Sequence, residues 1–166
     1  MIIVLEGPDG GGKTTLARVI HEIVGIPIVP GEGPPKAPGE MNQRVERYLT
    51  YDHCIFDRHP CVSQPIYSNI RRGDDESITL GRMQRFYDSK PVLIYCRYNG
   101  LSAQNMTFGP HEDPTHVAAV KEKYADICFA YDRWAIDHAE IIVRDYQFIR
   151  AIKFVRSLQD ELVKLG

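Results

Sequence analysis

No run of the chain approaches the ~18 consecutive apolar residues that a membrane-crossing helix needs, and Met1 leads into the apolar stretch Ile2–Leu5 without a charged leader. Both absences lead to the expectation of a cytoplasmic protein. No Cys-x-x-Cys pair occurs either: Cys54, Cys61, Cys96 and Cys128 are scattered, and Cys54 and Cys96 sit inside apolar runs. Buried free thiols are expected, in place of a disulfide framework or a zinc site. Excess charge is also missing. A net charge of -2 gives no bulk attraction to DNA or to an anionic membrane, so no polymeric nucleic acid is expected as a partner unless a local patch provides for it. Repeats, low-complexity tracts and any composition shift that would mark a second domain are absent, and 166 residues fit one domain. The guanine-reading pattern Asn-Lys-x-Asp does not occur, which weighs against a nucleotide-gated switch.

What the chain does have is "EGPDGGGKTT", residues Glu6 to Thr15, between an apolar run and a helix-like stretch. The spacing Gly7-x-x-x-x-Gly12-Lys13-Thr14 in that strand-to-helix context is a phosphate-cradling loop. Glycines allow the backbone of Gly7, Gly10, Gly11 and Gly12 to wrap closely around an anion, and successive N–H groups with the following helix N-terminus favour negative charge. Lys13 is placed to reach the β- and γ-phosphates of ATP, the Thr14 hydroxyl to sit on Mg2+, and Thr15 to continue the cradle.

Along the rest of the chain, apolar strands alternate with helices. Strands are expected at Ile2–Leu5, 26–29 ("IPIV"), 53–57 ("HCIFD"), 91–96 ("PVLIYC") and 140–144 ("EIIVR"). Leu16, Val19, Ile20 and Ile23 stripe a helix over Lys13–Val24; further helices are expected at 41–50, 63–72 and 77–87. Val117, Val120, Tyr124, Ile127, Tyr131 and Trp134 describe one long helix from Pro114 with an apolar core stripe, and Phe148 to Leu165 stripe the last. The α/β class follows: a three-layer fold with a five-stranded parallel sheet and helices on both faces. The Pro- and Gly-rich segment 30–40 reads as a loop, functional or merely connecting. His111 and His116 in "HEDPTH" could suggest a metal, but Asp113 as a helix cap with Pro114 as first helical residue explains the stretch better.

With "EGPDGGGKTT" and with "FDRH" after the third strand, the chain resembles the thymidylate kinases, P-loop nucleoside-monophosphate kinases, over residues 1 to about 100. The resemblance implies a P-loop kinase fold with a short lid, about residues 97–114, and a dimer. It further implies that Asp9 lies near the acceptor sugar, that Asp57 and Arg58 end the third strand with the arginine on the acceptor phosphate, and that Ser63 and Tyr67 face the acceptor. Strand C-termini converge on the ligand crevice of open parallel sheets, so Asp57 and Arg58 are expected beside the phosphate loop, Asp57 ordering Mg2+ with Thr14. The chain departs from the family where "VPGEGPP" lacks an arginine and where Gly10 stands in a loop that in some members carries one. Charge for the transition state is then expected from the lid, whose one strong cation is Arg97, with Lys121 and Lys123 just beyond. Arg44 and Arg47 are further candidates for the acceptor or else a solvated helix face. Arg71 and Arg72 read as favourable charges at a helix C-terminus. Tyr51, Gln64 and Tyr67 are left as possible readers of the base. The expected activity is ATP- and Mg2+-dependent phosphorylation of a deoxynucleoside monophosphate, dTMP first, with a deoxynucleoside kinase acting on a hydroxyl as the alternative.

Overall fold

A computed structural model describes residues 1–68, 77–97, 114–144 and 147–165. Five strands, β1 (Ile2–Glu6), β2 (Ile28–Val29), β3 (Cys54–Asp57), β4 (Val92–Arg97) and β5 (Ile141–Arg144), form one sheet in the order β2-β3-β1-β4-β5. Every pairing is parallel. Parallel strands need crossover connections, and the helices that make them cover both faces. The helices are α1 (Lys13–Val24), α2 (Glu40–Tyr48), α3 (Pro60–Ser68), α4 (Leu80–Asp88), α5 (Pro114–Glu122), α6 (Tyr124–His138) and α7 (Ile149–Leu165).

The apolar strand runs divide by the two-residue period of a strand. Val4, Phe56 and Tyr95 face one core, completed by Val45, Phe86, Tyr124, Ile127 and Tyr131 from the helices. Ile3, Leu5, Ile55, Ile94 and Cys96 face the other, against Leu16 and Ile20 of α1 and Ala151 and Val155 of α7. All four cysteines are buried free thiols, as expected. Among the described residues, no helix is long and apolar enough to cross a membrane.

Element boundaries differ from the sequence reading in several places. β2 shortens to two residues, and α4 begins at Leu80 after the extended Thr79, three residues later than expected. α3 begins at Pro60, three residues early, because proline fits the first helical turn where its missing N–H costs nothing. The helix expected as one piece from Pro114 is two, broken at Lys123, which adopts φ −103° and ψ 15°. Nothing in the local sequence explains this break. Arg71, Arg72 and residues 98–113 of the expected lid, with His111 and Asp113, lie outside the described residues.

The register brings the functional strand ends level. Leu5 pairs with Asp57 on one side and with Ile94 on the other, so β1 and β3 end together in the middle of the sheet while β4 runs on to Arg97. Ile55 sits at the centre of this alignment, paired with Ile3 and Ile28 and fully buried. Replacing Ile55 by alanine should cost about 2–5 kcal/mol of stability through the cavity left behind; urea unfolding measures it, and a cost below that range would show that the sheet can close over the gap.

Candidate active site

The phosphate loop is seated on β4. A Cβ placed on Gly7 would lie 2.2 Å from the Cys96 carbonyl oxygen, and one on Gly11 2.4 Å from the same atom. Both positions therefore admit only glycine without movement of a central strand. The loop ends with Gly12 in the left-handed conformation, φ 84°, as the residue preceding α1. Gly10 also has positive φ and is exposed.

Lys13 lies under the loop, its ammonium donating to the Gly7 carbonyl at 2.9 Å and the Pro8 carbonyl at 2.6 Å. Burial, with Arg58 adding repulsion, pulls its pKa down to about 8. Thr14, exposed beside it, donates from Oγ1 to Asp57 Oδ2 at 2.6 Å. A hydroxyl and a carboxylate side by side at the loop are hard oxygen ligands of the kind Mg2+ takes, so these two residues fit the ion expected from the sequence. Thr15 is exposed in the first turn of α1.

Next to Asp57, Arg58 adopts φ 76°, a left-handed conformation uncommon outside glycine and frequent at functional sites. Three hydrogen bonds leave its guanidinium: Nη2 to Asp9 Oδ1 at 2.6 Å, and Nη1 to the hydroxyls of Tyr67 at 3.1 Å and Tyr131 at 3.0 Å. Tyr67 in turn donates to Asp9 Oδ2 at 2.8 Å, and Tyr131 to Glu6 Oε2 at 2.9 Å. Tyr124 donates to the Asp9 backbone carbonyl at 2.7 Å. Of the expected acceptor residues, Asp9, Arg58 and Tyr67 thus converge. Ser63 instead returns its hydroxyl to the carbonyl of His59, the residue before α3.

The remaining arginines are engaged elsewhere. Arg97 makes a two-armed pair with Asp132 of α6, Nε to Oδ1 and Nη2 to Oδ2, both at 2.8 Å. Arg44 is buried, not part of a solvated face, and holds the Gly33 carbonyl at 2.7 Å and Glu40 at 2.5 Å. Arg47 pairs with Glu32, which also accepts from Tyr48 at 2.9 Å. Together Arg44 and Arg47 fasten the loop of 30–40 to α2.

Three contributors are not evident from the motifs alone. Glu6 precedes the loop, and a carboxylate closing an apolar strand in mid-sheet is the sequence signal of a buried acid. Tyr124 and Tyr131 belong to the apolar stripe and are buried, but buried tyrosine hydroxyls seek partners, and theirs are in the site.

Solved structures share this architecture. The YorR protein of Bacillus subtilis, in complex with phosphorylated GDP, is 19% identical, with 96% of each chain covered and a TM-score of 0.64. The deoxyadenosine kinase of M. mycoides, with the products dCMP and a flexible dCDP bound, is 15% identical over 98% of this chain and 100% of its own, at 0.58. The thymidylate kinase of Ehrlichia chaffeensis is 18% identical over 98% of both chains, at 0.51. This chain has the P-loop kinase fold. No protein-family model matches it, and no curated protein matches it by sequence.

Gly11→Ala should lower the melting temperature, because the new methyl meets backbone and not a flexible side chain; a thermal melt reads it, and a variant that melts with the wild type would refute the seating of the loop. A second expectation concerns pH. Burial pushes the Glu6 carboxyl up to about 7, against the pull of Arg58. A raised carboxyl pKa favours the protonated fold, so this contribution is fully present below pH 4.5 and lost as pH rises to 7, about 3 kcal/mol in all. Denaturation of wild type and Glu6→Gln across pH 4.5–7 should show the wild type falling relative to the variant; a constant difference would refute the shift.

Proposed function

We propose that the protein transfers the γ-phosphoryl group of ATP to a deoxynucleoside monophosphate, dTMP first among them. The observation that carries this reading is the Arg58–Asp9 pair, held at 2.6 Å beside the phosphate loop at the adjoining strand end. Phosphoryl transfer asks a protein mainly to position two oxygens in line and to neutralise charge between them. Lys13 lies within reach of the transferring phosphate once its ammonium exchanges the Gly7 and Pro8 carbonyls for phosphate oxygens. Thr14 and Asp57 would hold Mg2+, which supplies positive charge at the β- and γ-phosphates. Arg58 offers a planar fork to the acceptor phosphate, and Asp9, about one-third exposed, can accept from a sugar hydroxyl.

A deoxynucleoside acceptor is the second reading, and one observation favours it. Arg58, Arg44, Arg47 and Arg97 are each paired with a carboxylate, so the described acceptor side holds little uncompensated positive charge for a phosphate dianion.

Incubation with ATP, Mg2+ and a panel of deoxynucleosides and their monophosphates separates the two: diphosphate products support the proposal, and products from nucleosides alone favour the alternative. Lys13→Met should remove most turnover in a folded protein. Arg58→Lys, which keeps charge but loses the fork, should lower acceptor kcat/KM roughly ten- to hundredfold with ATP affinity changed far less. A loss confined to ATP would detach Arg58 from the acceptor.

A further inference from the structure

The two carboxylates that surround Arg58 are not equivalent. Asp9 touches the guanidinium directly and is about one-third exposed, whereas Glu6 is 0% exposed and meets no described cation within hydrogen-bond distance. A buried carboxylate without a direct counter-charge is costly to keep, and burial indeed raises its pKa to about 7. Glutamine would fill the same space without a charge.

The geometry around Glu6 shows what the carboxylate does that an amide cannot. Its Oε1 accepts the His59 N–H at 2.6 Å, which fixes the peptide that follows the left-handed Arg58. The Arg58 N–H itself is held by the Leu5 carbonyl at 3.1 Å, so both peptides flanking this strained residue are tied to the end of β1. The other oxygen, Oε2, accepts the single Tyr131 hydroxyl proton. With its proton committed to Glu6, Tyr131 has only lone pairs to turn toward Arg58 Nη1. Tyr67 does the same between Arg58 and Asp9. An amide at position 6 would give its oxygen to the His59 N–H and place an NH2 group against Tyr131, and a hydroxyl that accepts there must send its own proton toward the Arg58 N–H.

We propose that Glu6 is a positioning residue for acceptor binding: a buried carboxylate, acceptor-only in its ionised form, that sets the polarity of the Tyr131 hydroxyl and, through it and the His59 peptide, the aim of the Arg58 guanidinium. This rests on Arg58 as the acceptor-binding group. The described hydrogen bonds of Glu6 go to His59 and Tyr131, none to Lys13, Thr14 or Asp57.

Three proteins test it: Glu6→Gln, Tyr131→Phe and the double variant. Glu6→Gln should fold and melt no lower than wild type at pH 7.5, since it removes a buried charge, yet acceptor kcat/KM should fall about tenfold with ATP KM unchanged within about twofold. Tyr131→Phe should lose a similar factor, and the double variant should be no worse than the worse single one, because both remove the same link. A readout free of any substrate is solvent exchange of the Arg58 guanidinium protons, followed by NMR in arginine-labelled protein and assigned by loss of the signal in Arg58→Lys. Exchange should be slow in wild type and about tenfold faster in each variant. Unchanged exchange in Glu6→Gln, multiplicative losses in the double variant, or equal losses for ATP and acceptor would each overturn the proposal. A wild type that phosphorylates no acceptor in the panel would refute the proposed function, while the exchange measurement would still decide the role of Glu6.

Discussion

The Arg58 guanidinium must be matched by acceptors on every side from which protein has displaced water, and the centre of the molecule is arranged around that requirement. A partly buried cation left without partners costs several times what an ordinary hydrogen bond contributes. Here the partners come from three elements: Asp9 from the phosphate loop, Tyr67 from α3 and Tyr131 from α6, the last held in turn by Glu6 at the end of β1. Their convergence is possible because the parallel register sets Leu5 opposite Asp57 and so brings the ends of β1 and β3 to one level. The left-handed backbone at Arg58 then turns the side chain back over the strand ends. Strain of this kind persists only where surroundings enforce it, and the two peptide hydrogen bonds to β1 are that enforcement.

A second anchor fixes the loop relative to this cluster. Gly7 and Gly11 both rest on the Cys96 carbonyl, so the loop takes its position from β4. The next residue on β4, Arg97, grips Asp132, and Tyr95 donates to the same carboxylate at 2.7 Å. α6 is consequently attached at three points: to the loop through Tyr124, to the Arg58 cluster through Tyr131 and to β4 through Asp132. Arg97, expected from the sequence to supply charge to the reaction, here joins a strand to a helix. Lys13 is the cation whose ammonium lies under the loop itself, with the segment 98–113 outside the described residues.

The fold was legible because parallel strands buried on both faces leave continuous apolar runs, and each of the five runs is a strand. The phosphate loop was legible because its glycines, lysine and threonine stand at a fixed spacing within one short stretch of sequence. What stayed hidden were the long-range polar partners. Nothing near Tyr131 in sequence points to Glu6, 125 residues away, and an apolar stripe records that a tyrosine is buried without recording where its hydroxyl goes. Arg44 and Arg47 show the converse: their positive charge was visible, but their shared carboxylate partner Glu32 sits in a loop whose path the sequence does not specify.

Charge balance at Arg58 also bears on which acceptor the site can take. A phosphate dianion approaching this guanidinium meets Asp9 on the same fork, and two anions on one cation repel unless one of them gains another donor. A sugar hydroxyl is such a donor, and Asp9 is exposed enough to receive it. A deoxynucleoside monophosphate therefore brings both halves of the exchange: phosphate for Arg58 and a hydroxyl for Asp9. A nucleoside brings only the hydroxyl and leaves the existing pair intact. On the proposed reading the phosphate loop would serve either reaction alike, and acceptor choice would turn on whether Asp9 can release one arm of Arg58 while the two tyrosines, with Glu6 behind Tyr131, hold the rest of it in place.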